Sequence, residues 1–177
     1  MDFGIKNKKA LVTASSKGIG RAVAEGLVAE GCDVGICSRS KEDLLETARE
    51  IKNKYHFDVF WSVCDINKQK DLENTFNYFV QQFGQIDILV NNCGGPAPGN
   101  LPDLDDEKWQ AAFEQVLLSA VRLSRFAVTD MMKREWGRII NITSISVKQP
   151  IDNLMLSNSL RAGLIGFAKS LSNEVGK

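Results

Sequence analysis

Lys9-Ala10-Leu11-Val12-Thr13-Ala14-Ser15-Ser16-Lys17-Gly18-Ile19-Gly20-Arg21-Ala22-Val23-Ala24 is the stretch that decides the fold: an apolar run breaks into small residues and glycines, then resumes with helical periodicity. That order reads as a strand, a tight turn and a helix start. Glycines let backbone approach a ligand closely, and the unpaired N–H groups at a helix N-terminus, with the helix dipole, attract an anion such as a pyrophosphate. The chain therefore opens with an expected dinucleotide site.

Outward from this turn, strand-like and helix-like segments alternate, without repeats, low-complexity tracts or a linker. Residues 11–13 read as the first strand and 19–30 as a helix that Gly31 is placed to end. Residues 34–38 form the second strand. A second helix follows, opened by Ser40 three residues before Asp43, with Leu44, Leu45, Ala48 and Ile51 as its apolar face. Residues 59–63 are the third strand, 71–83 an amphipathic helix closed by Gly84, and 86–90 the fourth strand.

The prolines and glycines of Cys93-Gly94-Gly95-Pro96-Ala97-Pro98-Gly99-Asn100 make it a loop. Beyond it come a long helix over 105–133, a fifth strand over 138–142 and a last helix over 156–175. Trp109, after the loop, reads either as a wall of a substrate cleft or as a core residue, and Met131 and Met132 read as packing. Alternation of this kind implies an α/β fold with a doubly wound parallel sheet of Rossmann type. The right-handed crossover rule makes the strand order 3-2-1-4-5, with ligand at the switch between strands one and four.

The whole chain of 177 residues is expected to form one domain, 1–177; with 44% hydrophobic and 25% charged residues its composition is ordinary for a globular protein. Lys plus Arg and Asp plus Glu both number 22, so no overall basic field exists to attract nucleic acid or an anionic membrane. Met1-Asp2-Phe3-Gly4-Ile5-Lys6 shows no basic segment followed by an apolar one, and no run approaches the roughly 18 apolar residues of a membrane span. The expectation is a cytoplasmic protein without nucleic-acid or membrane partners. Cys32, Cys37, Cys64 and Cys93 show no CxxC pairing and read as reduced, buried thiols rather than zinc ligands or a redox motif. The single histidine, His56, reads as a surface residue at a helix end, and no metal site is expected.

Two further polar turns converge on the glycine turn: Asn91-Asn92-Cys93-Gly94 follows strand four and Asn141-Ile142-Thr143-Ser144 follows strand five. Here the sequence resembles the short-chain dehydrogenase/reductase family, whose patterns TGxxxGxG and NNAG are similar to Thr13 to Gly20 and Asn91 to Gly94. Within that family it is most similar to reductases of 3-oxoacyl groups on acyl carrier protein, through Gly137-Arg138-Ile139-Ile140-Asn141-Ile142 and Ala162-Gly163-Leu164-Ile165-Gly166-Phe167-Ala168-Lys169-Ser170-Leu171. The resemblance implies an oxidoreductase that reduces a carbonyl or oxidises the matching alcohol with NAD(P). It implies that Thr13, Gly18, Ile19 and Gly20, with Ser15, Ser16 and Lys17 between them, line the cofactor pyrophosphate. It also implies that Asp65 touches the adenine and that Asn91, Cys93 and Gly94 lie by the ribose and nicotinamide. Asp65 reads equally as a helix-capping residue.

An acid at the end of strand two would hold a ribose 2′-OH, whereas a basic residue would pair a 2′-phosphate. Ser38 stands where the acid would be, Arg39 follows it, and Lys17 adds a second cation from the glycine turn, so NADP is expected over NAD. Either cation alone would equally be a solvated surface charge.

At the catalytic positions the chain departs from the family, which uses a Tyr general acid, a Lys four residues on, a Ser and a helix Asn. Ser144 matches the Ser, but Ser157 stands at the Tyr, Arg161 at the Lys and Leu117 at the Asn. An aliphatic hydroxyl is a far weaker acid than a phenol, and Arg releases no proton, though its planar fork can hydrogen-bond ribose hydroxyls or an anionic substrate and stabilise a developing alkoxide. Lys148 is the nearest spare amine and reads as an exposed loop lysine. Ser144, Ser157 and Arg161 are thus the catalytic candidates, with a non-catalytic NADP-binding sensor or partner subunit as the alternative. Apolar faces on the long and last helices resemble those through which family members dimerise, so a homo-oligomer is expected. The family continues into further C-terminal strands that this chain lacks. The fifth strand's edge is therefore expected to be open, in a fragment or against a partner.

Overall fold

The computed structural model describes residues 2–176. Strands β1 (Lys9–Val12), β2 (Asp33–Ser38), β3 (Phe60–Val63), β4 (Ile88–Asn91) and β5 (Arg138–Asn141) form one parallel sheet in the order β3-β2-β1-β4-β5. This is the order the crossover rule predicts. Helices α1 (Gly18–Ala29), α2 (Lys41–Tyr55), α3 (Gln69–Phe83), α4 (Asp106–Phe113), α5 (Ser119–Lys133) and α6 (Met155–Val175) cover its faces.

Because the central strands are covered on both faces, Ala10, Leu11 and Val12 are consecutive and fully buried. Strand periodicity then sorts the core in two. Ala10, Val12, Val34, Ile36, Ile88 and Val90 pack with Ala24, Val28, Leu44 and Ile51 from α1 and α2, whereas Leu11, Cys37 and Leu89 pack with Leu72, Phe79, Leu123 and Ala127 from α3 and α5. At the base of β4, Asp87 is 1% exposed and accepts from the Lys9 N–H (2.9 Å), Gln85 Nε2 (2.8 Å) and Arg134 Nη1 (2.7 Å). Burial pushes this carboxyl up, but the three donors outweigh it and hold the group below the usual carboxylate range.

Helix ends follow their signals. Gly31 (φ 78°) and Gly84 (φ 80°) take the left-handed conformation after α1 and α3, and exposed His56 (φ 55°) ends α2 likewise. Ser40 Oγ accepts from the Asp43 N–H at 3.2 Å, capping α2.

Three expectations are corrected. Leu45 is 45% exposed, because Leu44, Thr47 and Ile51, spaced three and four apart, carry the buried face and Leu45 falls about 100° round the helix. Met131 is buried as expected, but Met132 is 55% exposed. The long helix is not uninterrupted: Glu114–Leu118 forms a π turn between α4 and α5. Among the described residues β5 is an edge strand, with Ile140 46% exposed on it, as expected. No helix among them is long and apolar enough to cross a membrane.

Candidate functional site

Where β1, β2, β3 and β4 end, their following turns enclose a cleft of about 690 Å³. Its floor is the glycine turn. After β1, Ala14 (φ 46°) and Gly18 (φ 57°) adopt left-handed backbone, which wraps the chain so that α1 starts facing the cleft. Lys17, at the N-cap of α1, supplies no side-chain acceptor for the first-turn N–H groups, so these point unanswered at the cleft. A Cβ on Gly20 would lie 2.5 Å from the Ala14 carbonyl oxygen and 2.6 Å from Asn92 Nδ2, so glycine here lets α1 seat directly on both turns.

The structure divides the predicted cofactor residues into those that line the cleft and those that build its frame. Ser16, Lys17, Gly18, Ile19, Ser38, Arg39, Asp65, Cys93 and Gly94 line it. Thr13, Ser15, Gly20 and Asn91 stand behind it. Thr13 Oγ1 donates to the Asn92 carbonyl (2.7 Å) and accepts the Asn92 N–H (2.9 Å), stapling the β1 turn to the β4 turn. Ser15, expected with its neighbours beside the pyrophosphate, has a fully buried side chain, donating to the Val12 carbonyl (2.7 Å) and accepting the Cys37 N–H (3.0 Å). Asn91 Nδ2 donates to Asn141 Oδ1 (2.9 Å), joining β4 to β5, and the cleft is lined instead by its neighbour Asn92, whose Nδ2 donates to the Ala14 carbonyl (3.0 Å), together with Ala14. Strand alternation could have found this, since Asn91 continues the inward phase of Leu89 and Asn92 begins the turn.

Charge on the rim is mixed. Lys17 pairs with Asp43 at 2.9 Å, and that ammonium holds the Asp43 carboxyl below the usual range. Arg39 lines the same rim, exposed, and no carboxylate pairs with it among the described residues. Ser38 Oγ donates to the Ser40 carbonyl at 3.3 Å. Asp65 Oδ1 accepts the Asn67 N–H at 3.1 Å, closing a turn ahead of α3 whose N-cap is Lys68, so the side chain is not a helix cap.

The β4 turn runs on toward the predicted catalytic residues Ser144, Ser157 and Arg161, none of which lines the cleft. Gln115, in the π turn, donates Nε2 to the Gly94 carbonyl (3.0 Å). Farther on, the Gly99 N–H donates to the Asn153 carbonyl (2.8 Å), fixing the loop against the start of α6, while Trp109 packs with Leu104, Ala112 and Leu156. Ser144, half-buried, caps the short 3₁₀ turn Ile145–Val147 by accepting the Ser146 N–H at 3.1 Å. Ser157 and Arg161 lie one turn apart on α6, 7% and 6% exposed. Arg161 Nη1 donates to the Ile142 carbonyl (2.9 Å), and its Nη2 lies 3.8 Å from Cys93 Sγ. Burial pushes the half-buried Cys93 thiol up and the guanidinium only partly offsets this, whereas Cys32, Cys37 and Cys64 are fully buried. Leu117 sits in the π turn against α6, its Cδ2 3.6 Å from where a Cβ on Gly163 would be, and Lys148 is exposed. Among the described residues no group of three His, Cys, Asp or Glu is arranged to hold a metal.

The family model for short chain dehydrogenase matches residues 8–177. The 3-oxoacyl-(acyl-carrier-protein) reductase FabG of Salmonella typhimurium is 37% identical over 175 residues, covering 98% of this chain and 69% of that protein. Dehydrogenase/reductase SDR family member 4 of Sus scrofa is 32% identical over 172 residues, covering 97% and 61%. Among solved structures, L-sorbose reductase from Gluconobacter frateurii, complexed with NADPH and L-sorbose, superposes with a TM-score of 0.94 at 37% identity, over 99% of this chain and 66% of that one. The chain thus spans about two thirds of the length of the relatives it matches, or slightly less.

Proposed function

The chain belongs to the short-chain dehydrogenase family, and from that membership we propose that it is an NADP-dependent oxidoreductase that reduces a small carbonyl compound, of 3-oxoacyl type among others, or oxidises the matching alcohol. The observation that carries this reading is the cleft itself: uncapped α1 amides at the switch between β1 and β4, with Arg39 on the rim. NADPH binding by the Gluconobacter frateurii reductase supports the cofactor choice.

In this assignment the first-turn amides of α1 hold the pyrophosphate, Arg39 and Lys17 face a 2′-phosphate, and the Asp65 carboxylate accepts from the adenine amino group. Asn92, Cys93 and Gly94 border the nicotinamide side. When bound, the cofactor supplies a hydride to the carbonyl carbon. Ser144 and Ser157 orient the carbonyl by hydrogen bonding, and Arg161 stabilises negative charge developing on its oxygen. No phenol stands at the proton-donor position, so proton delivery by the chain is weak. The four free thiols suit a reducing, cytoplasmic setting. Exposed Met132 on α5 and Ile165 on α6 support pairing of two copies through these helices.

A second reading, a catalytically inactive NADP-binding sensor or partner subunit, is favoured by one specific observation: Leu117, Ser157 and Arg161 replace three of the four residues the family uses. Carbonyl-dependent oxidation of NADPH separates the two. Turnover by the native chain supports the enzyme; turnover only after Ser157→Tyr with Arg161→Lys supports the non-catalytic protein.

A further inference from the structure

Arg161 is a buried cation without a counter-charge. It is 6% exposed, and of its five N–H donors one serves the Ile142 carbonyl at 2.9 Å while another faces only the Cys93 sulfur at 3.8 Å. No carboxylate pairs with it among the described residues. The sequence around it explains why: residues 88–102, 141–151 and 153–173, which form the β4 turn, the β5 turn and nearly all of α6, contain no Asp or Glu. The one acid on the π turn, Glu114, is engaged by Arg122 Nη1 at 2.6 Å. The acids of the cleft, Asp43 and Asp65, lie beside α2 and α3, while Arg161 stands behind the lining residue Cys93.

A buried, uncompensated guanidinium is costly unless an anion answers it. Resting on the oxidoreductase reading of this same site, we propose that the carbonyl substrate carries a carboxylate bound by Arg161, which makes it an oxo acid rather than its ester, amide or neutral ketone. The planar fork matches the two oxygens of a carboxylate side by side. One buried cation balances one negative charge, which fits a carboxylate better than a phosphate dianion; the nearest lysines in sequence, Lys169 and Lys148, are both exposed. The hydroxyls of Ser144 and Ser157 leave the neighbouring oxo group a hydrogen-bond donor, while a developing alkoxide shares the guanidinium's field. Specificity of this kind is strong because an ester offers the guanidinium no charge and no second equivalent oxygen.

The test is calorimetric titration of acetoacetate and of methyl acetoacetate into the chain alone and into the chain saturated with NADP⁺, where both partners are oxidised and no turnover consumes the ligand. Acetoacetate is expected to bind at least tenfold tighter than the ester in one or both conditions. Arg161→Gln should erase the difference and Arg161→Lys should keep part of it, with circular dichroism reporting that each variant is folded. Equal binding of acid and ester by the native chain, or a preference that survives Arg161→Gln, overturns the proposal. Should Arg161→Gln not fold, the native acid-to-ester ratio and Arg161→Lys decide it. Failure of NADPH to bind overturns the cofactor reading alone, because the acid preference is also measured without cofactor.

Discussion

Lys17 Nζ lies 2.9 Å from Asp43 Oδ2, so the cation of the glycine turn meets the cleft already paired, while Arg39 on the same rim is not. The two basic residues that point to a 2′-phosphate are therefore unequal. Arg39→Ala should weaken NADPH binding about tenfold, about 1.4 kcal/mol, and Lys17→Ala only about two- to threefold, since an exposed pair contributes little. Asp43→Asn should tighten NADPH a few-fold by releasing Lys17 and removing a like charge. NADH affinity, followed in parallel, should stay level in all three.

Gly20 tests the frame of the turn. A methyl group there would lie 2.5 Å from the backbone oxygen of Ala14, which cannot swing away as a side chain would. Gly20→Ala should cost NADPH binding tenfold or more while circular dichroism keeps its helical signal. Gly26 has nothing within 4 Å of its added Cβ, so Gly26→Ala should leave binding unchanged and gain about 0.5–1 kcal/mol of stability from helix propensity.

Asp87 carries a pH dependence. Its folded-state carboxyl lies below its unfolded value of about 3.9, so its contribution is complete above that value and is lost as pH falls through the folded one. Urea unfolding should show stability flat from pH 7 to about 5 and falling below about 4. Asp87→Asn, which strips the charge from the bonds to Lys9 N and Arg134, should cost about 2–4 kcal/mol at pH 7 and flatten that acid limb.

Much of the fold is legible locally. The run Ala10–Val12, the left-handed glycines at 31 and 84 and the Ser40 cap each follow from short-range sterics and hydrogen bonding, and the crossover rule orders the strands. Legibility falls where pairing between distant turns decides. Ser15 is expected beside the pyrophosphate, yet the Cys37 N–H, 22 residues away, turns its hydroxyl inward; Asn91 is taken by Asn141 across the sheet, which leaves Asn92 to the cleft. The π turn at Glu114–Leu118 has no local signature in Glu114-Gln115-Val116-Leu117-Leu118, and the Lys17–Asp43 pair joins two helix starts that only the folded sheet brings together.

The central claim, an NADP site built on the turn from Thr13 to Gly20, is tested most directly by titrating the purified chain with NADPH and with NADH while following nicotinamide fluorescence. The account predicts saturable binding of NADPH at least tenfold tighter than NADH, with Arg39→Ala removing most of that difference. No fluorescence change with either nucleotide, or tighter binding of NADH, would contradict it.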